Sequence, residues 1–91
     1  REFDSMRITH MRTRGGNAAA NQFLIYHAGE RHFQSYSSRV ATIDTEGKVI
    51  LYDPYWDMYS ATTNNYLLQF LNESSIKDVR EKVKAGEYTV I

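Results

Sequence analysis

The chain has 91 residues, enough for one domain with one modest core. Hydrophobic residues make up 42% of it and charged residues 24%, which is typical of a globular protein and not of a disordered one. Its 11 basic and 11 acidic side chains balance, which argues against a DNA mimic and a simple polyanion binder, and the lack of cysteine excludes disulfides and thiolate metal sites.

The first five residues, REFDS, are typical of a cloning scar, so we place a single domain over residues 6–91. From Met6 onward the side chains alternate loosely between apolar and polar types. This alternation predicts a strand that carries Met6, Ile8 and His10 on one side.

Two hairpins are predicted next. In NQFLIYHAGERHFQSY, a two-residue turn at Gly29-Glu30 would place His27 opposite His32. In RVATIDTEGKVILYD, a type I turn at TEG would place Ile43 opposite Val49, with apolar side chains on both faces of the hairpin. Such a hairpin belongs in the middle of a sheet or beneath helices.

Two helices follow. TTNNYLLQFLN has an apolar stripe at helical spacing, with Thr62 or Thr63 as its predicted cap. In SSIKDVREKVKAGEY, Ser75 and Asp78 resemble a capping box, and Gly86 is a favourable residue just after a helix end. A short last strand at EYTVI is left open. We therefore predict an α+β fold, an antiparallel meander sheet of four to five strands followed by two α-helices packed on one face.

Charge is distributed unevenly along the chain. Residues 6–39 carry one acid, Glu30, against five arginines, a net charge of +4, whereas residues 40–91 carry eight acids against five bases, a net charge of −3. The five arginines are Arg7, Arg12, Arg14, Arg31 and Arg39. Arginine has a planar fork of donors that suits phosphate. The plainer alternative is that the two parts neutralise each other within one small domain.

The stretch MRTRGGNAAANQF is the most unusual in the chain. Successive backbone N–H groups at RGGN could form an anion-binding nest, and Arg12 and Arg14 would add charge from one face of a strand. With Asn17 and Arg31 they are the candidate contacts for an anion or a nucleic acid. Neither a P-loop nor a dinucleotide fingerprint fits the spacing, and a simple glycine turn is the alternative.

An aromatic loop is the candidate site for a protein partner. Tyr55, Trp56, Asp57 and Tyr59 lie within five positions, and tyrosine and tryptophan are enriched at interface hot spots. They can also stack on exposed bases. A small domain, however, also needs large aromatic side chains to close the end of its core.

The sequence contains few residue patterns that are typical of catalysis or metal binding. His27, His32 and Glu30 lack a third fixed ligand for zinc, and Asp53 and Asp57 are the one carboxylate pair that could act as acid and base. Because Asp residues beside proline and aromatic residues commonly cap turns, we expect a protein that is not an enzyme, with no catalytic residue, metal or cofactor.

Six short sequence segments, taken in order, resemble those of a known group of proteins. They are Gly15-Gly16-Asn17, Ala20 to Phe23, Phe33 to Tyr36, Trp56-Asp57, Thr62-Thr63 and Phe70 to Asn72. In this order they resemble a group of small uncharacterised proteins encoded by bacteriophages and mobile elements, chiefly of Gram-positive bacteria. In that group one residue separates the WD pair from the next serine, whereas Met58 and Tyr59 stand there in this chain.

The resemblance implies a phage setting, where small proteins often bind host proteins or inhibit bacterial defence systems, as anti-CRISPR proteins do. We therefore expect a cytoplasmic protein, outside the membrane, that modulates a host or phage protein by binding it. An exposed sheet edge leaves homodimerisation open. The alternative function is a small nucleic-acid-binding domain that uses the arginine-rich N-terminal strand and aromatic stacking.

Overall fold

The computed structural model describes residues 6–57 and 60–91. The predicted cloning scar at residues 1–5 and the candidate partner residue Tyr59 lie outside these described residues. The elements in chain order are β1 Met6–Arg12, β2 Ala18–His27, β3 Glu30–Ser35, β4 Ser38–Ile43, β5 Val49–Leu51, a 3₁₀ turn Tyr55–Asp57, α1 Ala61–Leu71, α2 Ile76–Lys84 and β6 Tyr88–Val90.

All six strands form one sheet in the order β1-β2-β3-β4-β5-β6. The first five strands pair antiparallel, as a meander does, and β6 pairs parallel with β5. A parallel neighbour needs a long crossover, and α1 and α2 supply it. The predicted α+β class, meander and two helices are confirmed, and the last strand raises the count from the predicted four or five to six.

The register confirms one predicted hairpin and corrects the other. Ile43 lies opposite Val49, as predicted. In the first hairpin the turn is Ala28-Gly29, with φ of 53° and 80°, so His27 lies opposite Glu30 and not opposite His32. Two positive φ angles make the primed turn whose twist matches a hairpin. The prediction was wrong because it considered only the glycine able to adopt such an angle.

The core lies between one face of the sheet and the two helices. Phe33 and Leu51 of the sheet and Leu67 of α1 are fully buried there, and the rings of Phe33 and Phe70 lie 6.0 Å apart. Val79 of α2 is also fully buried. Large apolar side chains from both layers therefore supply the hydrophobic stabilisation that a domain of this size needs.

Serine residues begin both helices. Ser60 accepts a hydrogen bond from the Thr63 N–H group, so the cap of α1 precedes the predicted Thr62 or Thr63. Ser75 accepts one from the Asp78 N–H group, as predicted for α2, and Gly86 follows the helix end with a φ of 82°. A cap of this kind stabilises a helix by about 1 kcal/mol.

The helices cover the sheet unevenly. Phe33 of β3 and Leu51 of β5 are fully buried beneath them. On the same face of β1, Arg7 and Thr9 are exposed. The uncovered part of this face thus lies beside α1, at the end of the molecule where the arginines lie. None of the helices among the described residues is long and apolar enough to span a membrane.

Candidate anion-binding cleft

The glycine pair lies in a tight turn between β1 and β2. The Thr13 N–H group donates to the Asn17 carbonyl at 2.8 Å, and the Gly16 N–H group donates to the Thr13 carbonyl at 2.9 Å. The Asn17 N–H group donates to the Thr13 hydroxyl at 3.2 Å. Two of the four N–H groups of the proposed nest, those of Gly16 and Asn17, are thus used within the turn.

A cleft opens between this turn and α1. It consists of two adjoining cavities of about 460 and 240 Å³ that share Arg12 and Gln69. The larger cavity is lined by Arg12, Thr13, Arg14, Asn65, Tyr66 and Gln69. The smaller is lined by His10, Met11, Arg12, Leu24, Arg31, Gln69 and Phe70. We call the two cavities together the arginine cleft.

The arginine cleft is positively charged. Arg12, Arg14 and Arg31 are all exposed, and among the described residues that line the two cavities there is no carboxylate. The Arg12 guanidinium donates to the Gly16 carbonyl at 3.4 Å, which holds it near the turn. No ion pair within the part of the chain that the structure describes uses any of the three arginines. Their charge therefore remains available to an anion.

The three arginines come from separate elements. Arg12 lies in β1, Arg14 in the turn that follows it and Arg31 in β3. The register between β1 and β2 shifts between His10 and Arg12, and such irregularities bend a strand and re-aim its side chains. Arg31 lies opposite Tyr26 and Ile43, on the face that the helices pack against. The opposite wall belongs to α1, where Asn65 and Gln69 are four positions apart and share one exposed side of the helix.

The cleft contains most of the sequence-predicted anion contacts and adds new ones. Arg12, Arg14 and Arg31 line it, whereas Asn17 is not among its lining residues. Sequence reasoning missed Asn65 and Gln69. The sequence does show that these two amide side chains lie four positions apart, on the polar side of α1. Only the tertiary fold shows that this side of the helix faces the arginines.

The aromatic loop is mostly engaged within the fold. Trp56 is only 8% exposed, and its indole Nε1–H group donates to Asp53 Oδ1 at 2.8 Å. Asp57 accepts two hydrogen bonds from the Arg80 guanidinium, at 3.1 and 2.6 Å. Tyr55 is the member of the predicted partner site that the structure describes as exposed.

A small cavity of about 160 Å³ lies beside Tyr55. Its lining residues are Ser35, Tyr36, Ser38, Val40, Tyr55 and Thr63. Tyr36 is 60% exposed and has a φ of 55°, an angle that non-glycine residues seldom adopt. Two tyrosine rings thus border one shallow cavity, which we call the tyrosine cavity.

The sheet face away from the helices carries a chain of polar contacts. His32 Nδ1 lies 2.7 Å from the Thr42 hydroxyl, which lies 3.0 Å from the Tyr52 hydroxyl. Burial lowers the pKa of His32, the positive charge of Arg39 lowers it further, and Glu30 opposes both effects. Within the described residues, no three His, Asp or Glu side chains are grouped closely enough to hold a metal ion.

Charged side chains of both signs lie at the end of the molecule that contains α2 and β6. Glu73, between the two helices, accepts hydrogen bonds from Lys82 of α2 at 2.5 Å and from the Tyr88 hydroxyl of β6. The hydrogen bond from Lys82 is the main cause of the lowered pKa of Glu73, followed by the one from Tyr88. Nearby, a second group of carboxylates includes Asp78, Glu81 and Glu87.

Comparison with known proteins gives a family but no characterised relative. No curated protein and no solved structure matches the chain. One family model matches residues 6–86, which span the turn, the whole arginine cleft, the aromatic loop and both helices. The chain therefore belongs to DUF8033, a family of unknown function.

Proposed function

We propose that the chain is a small nucleic-acid-binding protein that holds phosphate groups in the arginine cleft. One observation carries the proposal: Arg12, Arg14 and Arg31, from two strands and a turn, converge on one cleft without a carboxylate among its described lining residues. The zero net charge of the chain does not oppose this, because residues 6–39, which supply all three arginines, carry a net charge of +4. Local charge determines binding to phosphates.

The number of arginines sets the expected salt dependence. Each phosphate that an arginine neutralises releases counterions, and for a single strand the slope of log K against log salt is about −0.7 per contact. Three contacts therefore give a slope of about −2, and a weak, salt-sensitive complex is expected.

A matched pair of variants tests this proposal. Arg14→Gln removes one charge from the cleft, and Arg39→Gln removes an identical charge from the opposite face, where Arg39 lies over the Tyr52 ring. By fluorescence anisotropy with a labelled oligonucleotide, Arg14→Gln should weaken binding and reduce the salt slope by about 0.7. Equal effects of the two variants, or binding by neither the parent protein nor its variants, would reject the cleft as the site.

Protein binding is the second candidate function. Here the chain would be a phage-encoded modulator of a host or phage protein, such as an inhibitor of a bacterial defence system of the CRISPR type. The supporting observation is the tyrosine cavity, where Tyr36 and Tyr55 are both exposed beside a small depression. Tyrosine brings a large contact area at low cost in conformational entropy.

Capture from a nuclease-treated bacterial lysate tests the second candidate. Tyr55→Ser and Tyr36→Asn should each reduce recovery of a stoichiometric host protein, and asparagine suits the positive φ at position 36. Arg14→Gln serves as the control and should leave recovery unchanged. A partner that both tyrosine variants retain would contact some other surface.

A further inference from the structure

The arginine cleft has an apolar floor at one end. Met11 and Phe70, which are 6% and 8% exposed, line the smaller cavity together with the partly buried Leu24. His10, Arg12 and Arg31 also line this cavity. The larger cavity instead has a polar lining that includes Arg14 and the amides of α1. The cleft thus has a polar part and a part with an apolar floor, joined at Arg12 and Gln69.

From this division we infer that the cleft takes an unpaired nucleotide, with its phosphate held between Arg12 and Arg14 and its base lying on the Met11–Leu24–Phe70 floor. The inference rests on the proposed nucleic-acid function and narrows it to single strands. A nucleotide has the same two parts, an anionic phosphate and a flat ring with apolar faces.

The apolar floor of the cleft suits a single-stranded nucleic acid better than a duplex. In a duplex the faces of the bases are stacked inside the helix, so the protein meets phosphates and the edges of base pairs. An unpaired base exposes its faces, and these need an apolar or aromatic surface to leave water. Met11 and Phe70 belong to the hydrophobic core, and at the smaller cavity this core borders the cleft.

The dimensions of the cleft agree with an occupant of this size. Pockets for small organic ligands measure about 300–1,000 Å³. The two cavities measure about 460 and 240 Å³. Gln69 stands where they join and offers both a donor and an acceptor, the groups that an amide uses to contact the edge of a base.

Three ligands test the inference on the unaltered protein by fluorescence anisotropy. They are an eight-nucleotide single strand of mixed sequence, a hairpin duplex of the same sequence, and an abasic strand with the same number of phosphates. The natural strand, as DNA or as RNA, should bind at least about fivefold more tightly than the abasic strand, because stacking of a base contributes to affinity. The duplex should bind no better than the abasic strand.

A pair of substitutions on one strand locates the effect. Leu24→Thr places a hydroxyl on the floor, and Ile25→Thr makes the same kind of change on the opposite face of β2. Leu24→Thr should reduce affinity for the natural strand to the abasic level and leave abasic binding unchanged. Ile25→Thr should change neither affinity.

The outcomes separate this inference from the proposed function. If the abasic strand or the duplex binds as tightly as the natural strand, the phosphate site stands and the base site is wrong. If no ligand binds, both proposals fail. Because the comparison of ligands uses the unaltered protein, it decides the matter even if Leu24→Thr does not fold.

Discussion

At the scale of single residues, Gln22 is the most unusual member of the interior. It lies on β2 opposite Ser35 and is 1% exposed. Neither its amide nitrogen nor its amide oxygen has a hydrogen-bond partner among the described residues. An amide buried in this way loses its hydrogen bonds to water without replacement, which destabilises a fold by about 1–3 kcal/mol.

Replacement of Gln22 by methionine should therefore stabilise the protein. Methionine has a similar length and no polar group to desolvate, so the free energy of unfolding should rise by about 1–3 kcal/mol. The midpoint of urea denaturation, with an unchanged slope, measures the gain. Gln69→Met is the control, because Gln69 is exposed and its replacement should change stability by less than about 0.5 kcal/mol. A lower midpoint for Gln22→Met would mean that the amide is satisfied.

At the scale of elements, Glu73 connects three pieces of secondary structure. It follows α1 and accepts hydrogen bonds from Lys82 of α2 and Tyr88 of β6. These bonds favour the carboxylate over the acid and lower the pKa of Glu73 in the folded protein. The ionised form thus helps to hold α2 and β6 in place. This contribution is complete above the ordinary pKa of a glutamate and is lost as the pH falls through the lowered value.

The effect of a Glu73→Gln substitution should consequently depend on pH. At pH 7 the variant should unfold at a lower denaturant concentration than the parent protein, because glutamine cannot form the charged contact with Lys82. At pH values below the lowered pKa the parent carboxyl is protonated, and the difference should shrink toward zero. Parallel urea titrations at several pH values measure it. Glu81→Gln, a substitution at an exposed position of α2, is the control. A constant difference for Glu73→Gln would refute the assignment.

At the scale of the whole molecule, three arginines of the first part of the chain line one cleft. The arginine cleft lies at the β1 side and the carboxylates near Glu73 lie at the α2 side. The sequence predicted the α+β class, the second hairpin and the cap of α2, because each depends on neighbouring residues. It did not predict the wall formed by Asn65 and Gln69, because that wall exists only once α1 packs across the sheet.

In the aromatic loop, the sequence alone could not tell whether Trp56 belongs to an interface or to the core. Interface and core make similar demands on Trp56, since both use a large ring with one polar atom. Its burial and its hydrogen bond to Asp53 assign it to the interior. Only the packing of the loop in the folded chain decides this, and the local sequence does not encode that packing.

The order of the strands has a consequence for folding. Strands β1 to β5 each pair with the next in sequence, so short loops suffice to bring them together. The pair β5–β6 instead joins Leu51 to Val90 across both helices. Contacts between distant residues require more loop-closure entropy and form more slowly. We expect the four hairpins to form first, and pulsed hydrogen exchange during refolding should protect Phe33 before Tyr88; the reverse order would show that the C-terminal strand helps to nucleate the sheet.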